Sequence, residues 1–139
     1  MESSSRTVLI FDERPLRREA YMCLLAPWAA QQDLVIVGHE SFNPASIDGD
    51  AALAVICIGN RPMSELRAHG ELAQNGVFFP PLVIISDLDD PAEIAAALRW
   101  GAHGFVPTTT LPELAMNTMT FVLSGGEFFP VSTLQKPEE

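Results

Sequence analysis

The most constraining stretch of this chain is Val8-Leu9-Ile10-Phe11-Asp12-Glu13, four apolar residues running straight into two carboxylates. A continuous apolar run of this length suits a strand buried on both faces, as in a parallel sheet. Arg14 and Pro15 follow, then a helical pattern. Pro15 suits the first turn of a helix, where its missing N–H is no loss. The acids therefore stand at the carboxyl end of a buried strand, the edge where open α/β sheets form their ligand crevices. Two adjacent carboxylates repel each other there. Either a hard cation such as magnesium stabilises them, or they form a solvated acidic turn.

The same alternation continues along the chain. Apolar runs at residues 34–37, 53–58 and 82–85 and a short one at 104–106 read as four further strands. Residues 15–26 read as a helix with Leu16, Ala20, Cys23 and Leu24 on its buried face, and Pro27 is expected to end or kink it. That assignment leaves Tyr21, Met22, Leu25 and Trp28 as surplus apolar residues. Asp90-Pro91 opens a helix that runs to Trp100 before Gly101, and residues 111–123 form the last helix. Residues 64–74 are a weaker helix. Residues 39–52 are rich in turn signals and leave room for at most one helical turn around 45–47. The prediction is an α/β fold: a doubly wound, five-stranded parallel sheet in the order 2-1-3-4-5, with a helix short or missing between the second and third strands. Residues 1–6 form a flexible lead, 7–126 the domain, and 127–139 a tail or the start of a linker.

With 139 residues, 47% of them apolar, the chain has enough material for one real core. Its formal net charge of −10 argues against this segment gripping nucleic acid or an anionic membrane surface itself. No apolar run approaches the roughly 18 residues of a spanning helix, and no signal peptide is visible. Cys23 and Cys57 give neither a disulfide framework nor metal-ligand spacing. His39, His69 and His103 lie on different elements and read as surface or loop residues. The expectation is a cytoplasmic protein with no metal and no cofactor. A small α/β enzyme ranks last, because no glycine-rich phosphate loop follows the first strand and no histidine–nucleophile pairing is visible.

Five motifs in order carry a resemblance. They are Val8 through Glu19 with its acidic pair and Pro15-Leu16-Arg17-Arg18 helix start, Val35-Ile36-Val37-Gly38, Leu82-Val83-Ile84-Ile85-Ser86, Ala97 through Val106, and Ser124-Gly125-Gly126-Glu127-Phe128-Phe129-Pro130. Together they resemble the receiver domains of NarL/LuxR-type response regulators over nearly the whole chain, residues 41–52 excepted. The resemblance implies a fold that takes a phosphoryl group on an aspartate ending the third strand. An acidic pair there holds magnesium, a Ser or Thr and a lysine contact the phosphoryl oxygens, and an aromatic reorients. Matched to this chain, the acidic pair is Asp12 and Glu13, the hydroxyl is Ser86 and the aromatic position is Phe105.

Two positions depart from that pattern. The acceptor position falls on Cys57, or on Ile58 when counted back from Pro62, and no carboxylate occurs between Asp50 and Glu65. Thr108 stands at the lysine position, and the only lysine of the chain is Lys136. The resemblance therefore implies a degenerate receiver, without catalytic residues, that works independently of phosphorylation; the alternative is a conventional phosphorylated receiver using another acid at the strand ends, for which Asp12, Glu13 and Asp87 are the candidates. Carboxylates near Cys57 would raise its thiol pKa, so a buried structural cysteine is the expectation. Ser86, with no phosphoryl group to contact, is expected to satisfy a local backbone group. Asp12 and Glu13 are expected to be a solvated remnant of the site.

Output then has to pass through a standing surface. The surplus residues Tyr21, Met22, Leu25 and Trp28 of the first helix and Met116, Met119 and Phe121 of the last predict one merged apolar patch and a homodimer. Trp100, expected to be part-exposed, marks the alternative face. The expected partners are a second copy, a sensor kinase or another regulator protein, with DNA reached only through a separate C-terminal domain.

Overall fold

The computed structural model describes residues 6–43, 47, 49–67 and 80–130. The elements are β1 (Arg6–Phe11), α1 (Pro15–Gln31), β2 (Leu34–His39), β3 (Ala51–Gly59), α2 (Met63–Arg67), β4 (Leu82–Ser86), α3 (Pro91–Trp100), β5 (Gly104–Pro107) and α4 (Pro112–Leu123). All strand pairs are parallel, and the order is β2-β1-β3-β4-β5. β3 sits at the centre and is buried along its whole length, which is what its unbroken apolar sequence dictates. β2 lies at the edge and is half-exposed. The other edge is partly taken: Phe128 pairs with Gly104, donates its N–H to the His103 carbonyl (2.9 Å) and accepts from the Phe105 N–H (3.1 Å).

The sheet separates two apolar layers. One holds Phe11, Phe42, Ile58, Met63, Trp100 and Phe105, beneath α2 and α3. The other holds Val8, Ile10, Leu25, Trp28, Cys57 and Met119, beneath α1 and α4. α1 and α4 thus share a face, and Trp28 Nε1 donates to Thr120 Oγ1 at 2.8 Å to join them.

Four expectations change. First, α1 runs through Pro27 to Gln31. Proline removes one hydrogen bond to the carbonyl four residues back, but Cys23 and Pro27 both lie on the exposed side, where water can serve that carbonyl. Burial of Leu25, Trp28 and Ala29 on the opposite side carries the helix past it.

Second, the buried stripe of α1 is not Leu16–Ala20–Cys23–Leu24. Leu16 is 86% exposed, Leu24 41%, and Ala20 and Cys23 are exposed as well. Tyr21, Met22, Leu25 and Trp28 also recur at helical spacing, and they face the sheet: Leu25 and Trp28 are buried, and Tyr21 and Met22 pack against them. The larger set removes more apolar area from water. Met119 on α4 is buried too, and Met116 is half-buried against the same layer. The merged apolar surface patch predicted from α1 and α4 is therefore the core, and of its members only Phe121 is exposed.

Third, Trp100 is not part-exposed. It is buried, with its ring edge-on to Phe42 at 5.6 Å. Gly101, at φ +119, turns the chain sharply at the end of α3. Fourth, His39 ends β2 and is half-buried with its ring stacked on Phe11, so it is neither a surface nor a loop residue, whereas His103 does lie in the loop between α3 and β5, where its Nδ1 accepts the Leu82 N–H at 3.2 Å. His69 lies outside the described residues.

No helix lies between β2 and β3 among the described residues. The single turn expected around 45–47 falls mostly outside them, as does the part of the expected helix 64–74 beyond α2.

Candidate functional site

The carboxyl ends of β1, β3 and β4 meet at one edge of the sheet. Asp12 follows β1 directly and is 2% exposed. The Arg14 N–H donates to its Oδ1 at 3.0 Å, because the chain turns at once into α1. Arg17, one turn into α1, grips both oxygens: Nε to Oδ2 at 2.7 Å and Nη2 to Oδ1 at 2.8 Å. Arg18 Nη1 donates to the Asp12 carbonyl at 2.7 Å. Asp12 is thus a buried, fully engaged ion-pair partner and not a solvated remnant. Glu13 is exposed and pairs with Arg61, whose Nε also reaches Glu65 Oε1 at 2.8 Å. Among the described residues, no three His, Cys, Asp or Glu side chains converge as a metal site. The Asp12 hydrogen bonds raise the Arg17 guanidinium pKa further, against a smaller effect of burial.

Cys57 and Ile58 are both buried but face opposite layers. Cys57 lies one step beyond the Phe11–Ile56 pair, on the layer from which α1 presents Arg17. Ile58 packs with Phe42, Met63 and Leu66. β3 is irregular between Cys57 and Gly59, and Gly59 pairs with Ser86. Burial pushes the Cys57 thiol strongly upward, the Asp12 carboxylate adds to this, and Arg17 opposes it. A cavity of about 280 Å³ opens here, lined by Phe11, Asp12, Glu13, Glu40, Cys57 and Arg61 among others.

Ser86 is buried and closes a local turn: its Oγ accepts the Leu88 N–H at 2.9 Å and lies 3.1 Å from the Leu88 carbonyl. Thr108 is exposed and donates to Asp87 Oδ1 at 2.8 Å. Phe105 is fully buried among the layer that contains Trp100 and Phe129. The edge therefore brings together Asp12, Glu13, Cys57, Ser86 and Thr108, and Ile58 borders the same cavity from the other layer, while Phe105 points into the core. Sequence reasoning passed over Arg17 and Arg61. The signal was present as a basic residue in the first turn after the acids and an arginine just past the third strand.

The buried thiol leads to a pH prediction. In the unfolded chain Cys57 loses its proton near pH 9, whereas in the folded chain it keeps it. Above that pH the unfolded state binds fewer protons, so stability falls as pH rises, by up to about 1.4 kcal/mol per pH unit for this group. Tyr21, whose hydroxyl burial pushes its pKa up to about 12, adds in the same direction above pH 10. Urea unfolding from pH 8 to 10.5 should show a steeper loss for the wild type than for Cys57→Ala. Parallel curves would remove Cys57 as the cause.

No protein-family model matches this sequence, and no curated protein matches it. Solved structures do. A LuxR family DNA-binding response regulator from Silicibacter pomeroyi superposes with a TM-score of 0.63 at 22% identity, covering 93% of this chain and 99% of that one. A two-component response regulator of the LuxR family from Aurantimonas gives a TM-score of 0.69 at 17% identity, over 94% and 96%. A CheY-like response regulator from Mesorhizobium loti gives 0.57 at 17%, over 86% and 99%. The fold is that of response-regulator receiver domains. At these identities the likeness is one of fold. On this receiver fold the acidic edge is held by arginines of the chain itself.

Proposed function

We propose that this chain is a phosphorylation-independent receiver module of a two-component-type regulator, a cytoplasmic interaction domain and not an enzyme. The observation that carries this reading is the side chain beside Asp12 at the end of β3. It is Cys57, a buried thiol held neutral, where an acceptor carboxylate would have to stand. Asp12 already accepts three hydrogen bonds from Arg14 and Arg17, and Thr108 offers no cation for a phosphoryl group. The partners under this reading are a second copy, a sensor kinase or another regulator protein, with DNA contacted only by a separate domain. Incubation with acetyl phosphate and magnesium, followed by intact-mass measurement, is expected to leave the mass unchanged. A stable gain of one phosphoryl group, at Asp87 or elsewhere, would overturn the reading.

The homodimer keeps only α4 as its proposed seat. Leu111 (65% exposed), Leu114 (54%), Phe121 (51%) and Phe128 (42%) remain outside the core. Leu114, Phe121 and Phe128 border a groove of about 420 Å³ with Pro107 and Thr118. Contiguous apolar surface of this kind favours a covering partner, and a symmetric second copy is the commonest one. Light scattering at micromolar concentration should give the dimer mass for the wild type and the monomer mass for Phe121→Glu and Leu114→Glu. A monomeric wild type would sink the dimer while leaving the phosphodonor result to judge the rest.

A further inference from the structure

Arg17 does more than neutralise Asp12. Two of its guanidinium nitrogens hold the carboxylate, and the third, Nη1, lies against the backbone of Gly59, where any Cβ would collide with it. Gly59 has φ +60, a conformation that strains other side chains, and a Cβ there would push the guanidinium aside, so glycine suits both the backbone and this approach. One side chain from α1 therefore spans from the end of β1 to the end of β3. Cys57 lies between these two anchor points, next to Asp12 in the sheet and two residues before Gly59, and it is 4% exposed. The Asp12 carboxylate is 0% exposed and the Arg17 side chain 30%, so the guanidinium forms the outer surface of the pair.

We propose that Arg17 is the resident counter-ion of this edge, pinning the ends of β1 and β3 in one arrangement and so keeping the Cys57 thiol packed between them. A hard cation could neutralise the acids, but it exchanges with solvent. A guanidinium fork on the chain is always charged, always present and geometrically matched to one carboxylate. This deepens the reading of the pocket as silent to phosphodonors and rests on it. The two fail separately, because a phosphoryl gain by the wild type counts against that reading, whereas thiol rates judge Arg17.

The test is the reaction rate of Cys57 with an aromatic disulfide reagent, in a Cys23→Ser background because Cys23 is exposed. Arg17→Ala is expected to accelerate the reaction by roughly tenfold or more, because easier local opening outweighs the smaller thiolate fraction left once the cation is gone. Gly59→Ala, which displaces the guanidinium, should do the same. Arg17→Lys, which keeps the charge but not the fork, should fall between. Arg99→Ala, which removes an exposed arginine of α3 away from this edge, should leave the rate unchanged. Should Arg17→Ala fail to fold by circular dichroism, the Lys and Gly59→Ala variants decide. Wild-type rates in the folded Arg17 and Gly59 variants, or equal acceleration by Arg99→Ala, would overturn the proposal.

Discussion

Trp100→Ala lowers the free energy of unfolding by about 3–5 kcal/mol, a large part of what a domain of this size possesses. Trp100 is the last residue of α3 and 4% exposed. Its ring meets Phe42 edge-on, and Phe42 in turn meets Phe11 edge-on at 5.2 Å. Phe11 is the last residue of β1 and precedes Asp12, so this aromatic row ties α3 to the acidic edge. Truncation leaves a cavity that the parallel sheet, paired on both sides of β1 and β3, cannot collapse to fill. Trp100→Glu costs more, because it also buries a carboxylate with no designed partner. Urea unfolding measures both. A loss below about 1 kcal/mol for Trp100→Ala would mean the ring is peripheral.

Asp12→Ala is the second large effect, expected at about 3 kcal/mol. The carboxylate accepts from the Arg14 N–H and twice from Arg17, and its removal leaves these donors facing an apolar methyl group. The Arg17 side chain is 30% exposed, so part of its charge returns to water, which holds the loss to the lower end of the range for a broken buried pair. Arg17→Met alone leaves the opposite defect, a buried carboxylate short of its cation. The double variant Asp12→Ala/Arg17→Met should therefore cost less than the sum of the two, with a coupling of about 1–3 kcal/mol in chemical denaturation. Additive losses would mean that the pair is not the unit the geometry describes.

Much of this molecule is legible in its sequence. Five apolar runs with the right spacing dictate five parallel strands, and all but the half-exposed edge strand β2 are buried, because an unbroken apolar strand has nowhere to go but between two layers of helices. Pro15 and Pro91 mark helix starts, Gly101 marks a stop, and the placement of Asp12 at the carboxyl edge follows from strand polarity alone. The absence of a carboxylate from residues 51–64 is likewise a fact of the sequence.

What needed the tertiary structure is the choice between equivalent local solutions. α1 carries two apolar stripes at the same helical spacing, and periodicity cannot rank them. The sheet did, by taking Leu25 and Trp28 and leaving Leu16 in water. Trp100 was indistinguishable from a surface aromatic until Phe42, far away in sequence, came to meet it. Cys57 and Ile58 are neighbours between which counting could not decide, and the pleat put them in opposite layers. Arg17 and Arg61 read as ordinary basic residues, since charge says nothing of partner. The Arg17–Asp12 pair is local, five residues apart, but only when the ends of β1 and β3 came together did the same guanidinium also meet the bare backbone of Gly59, a neighbour that topology and not spacing along the chain supplies.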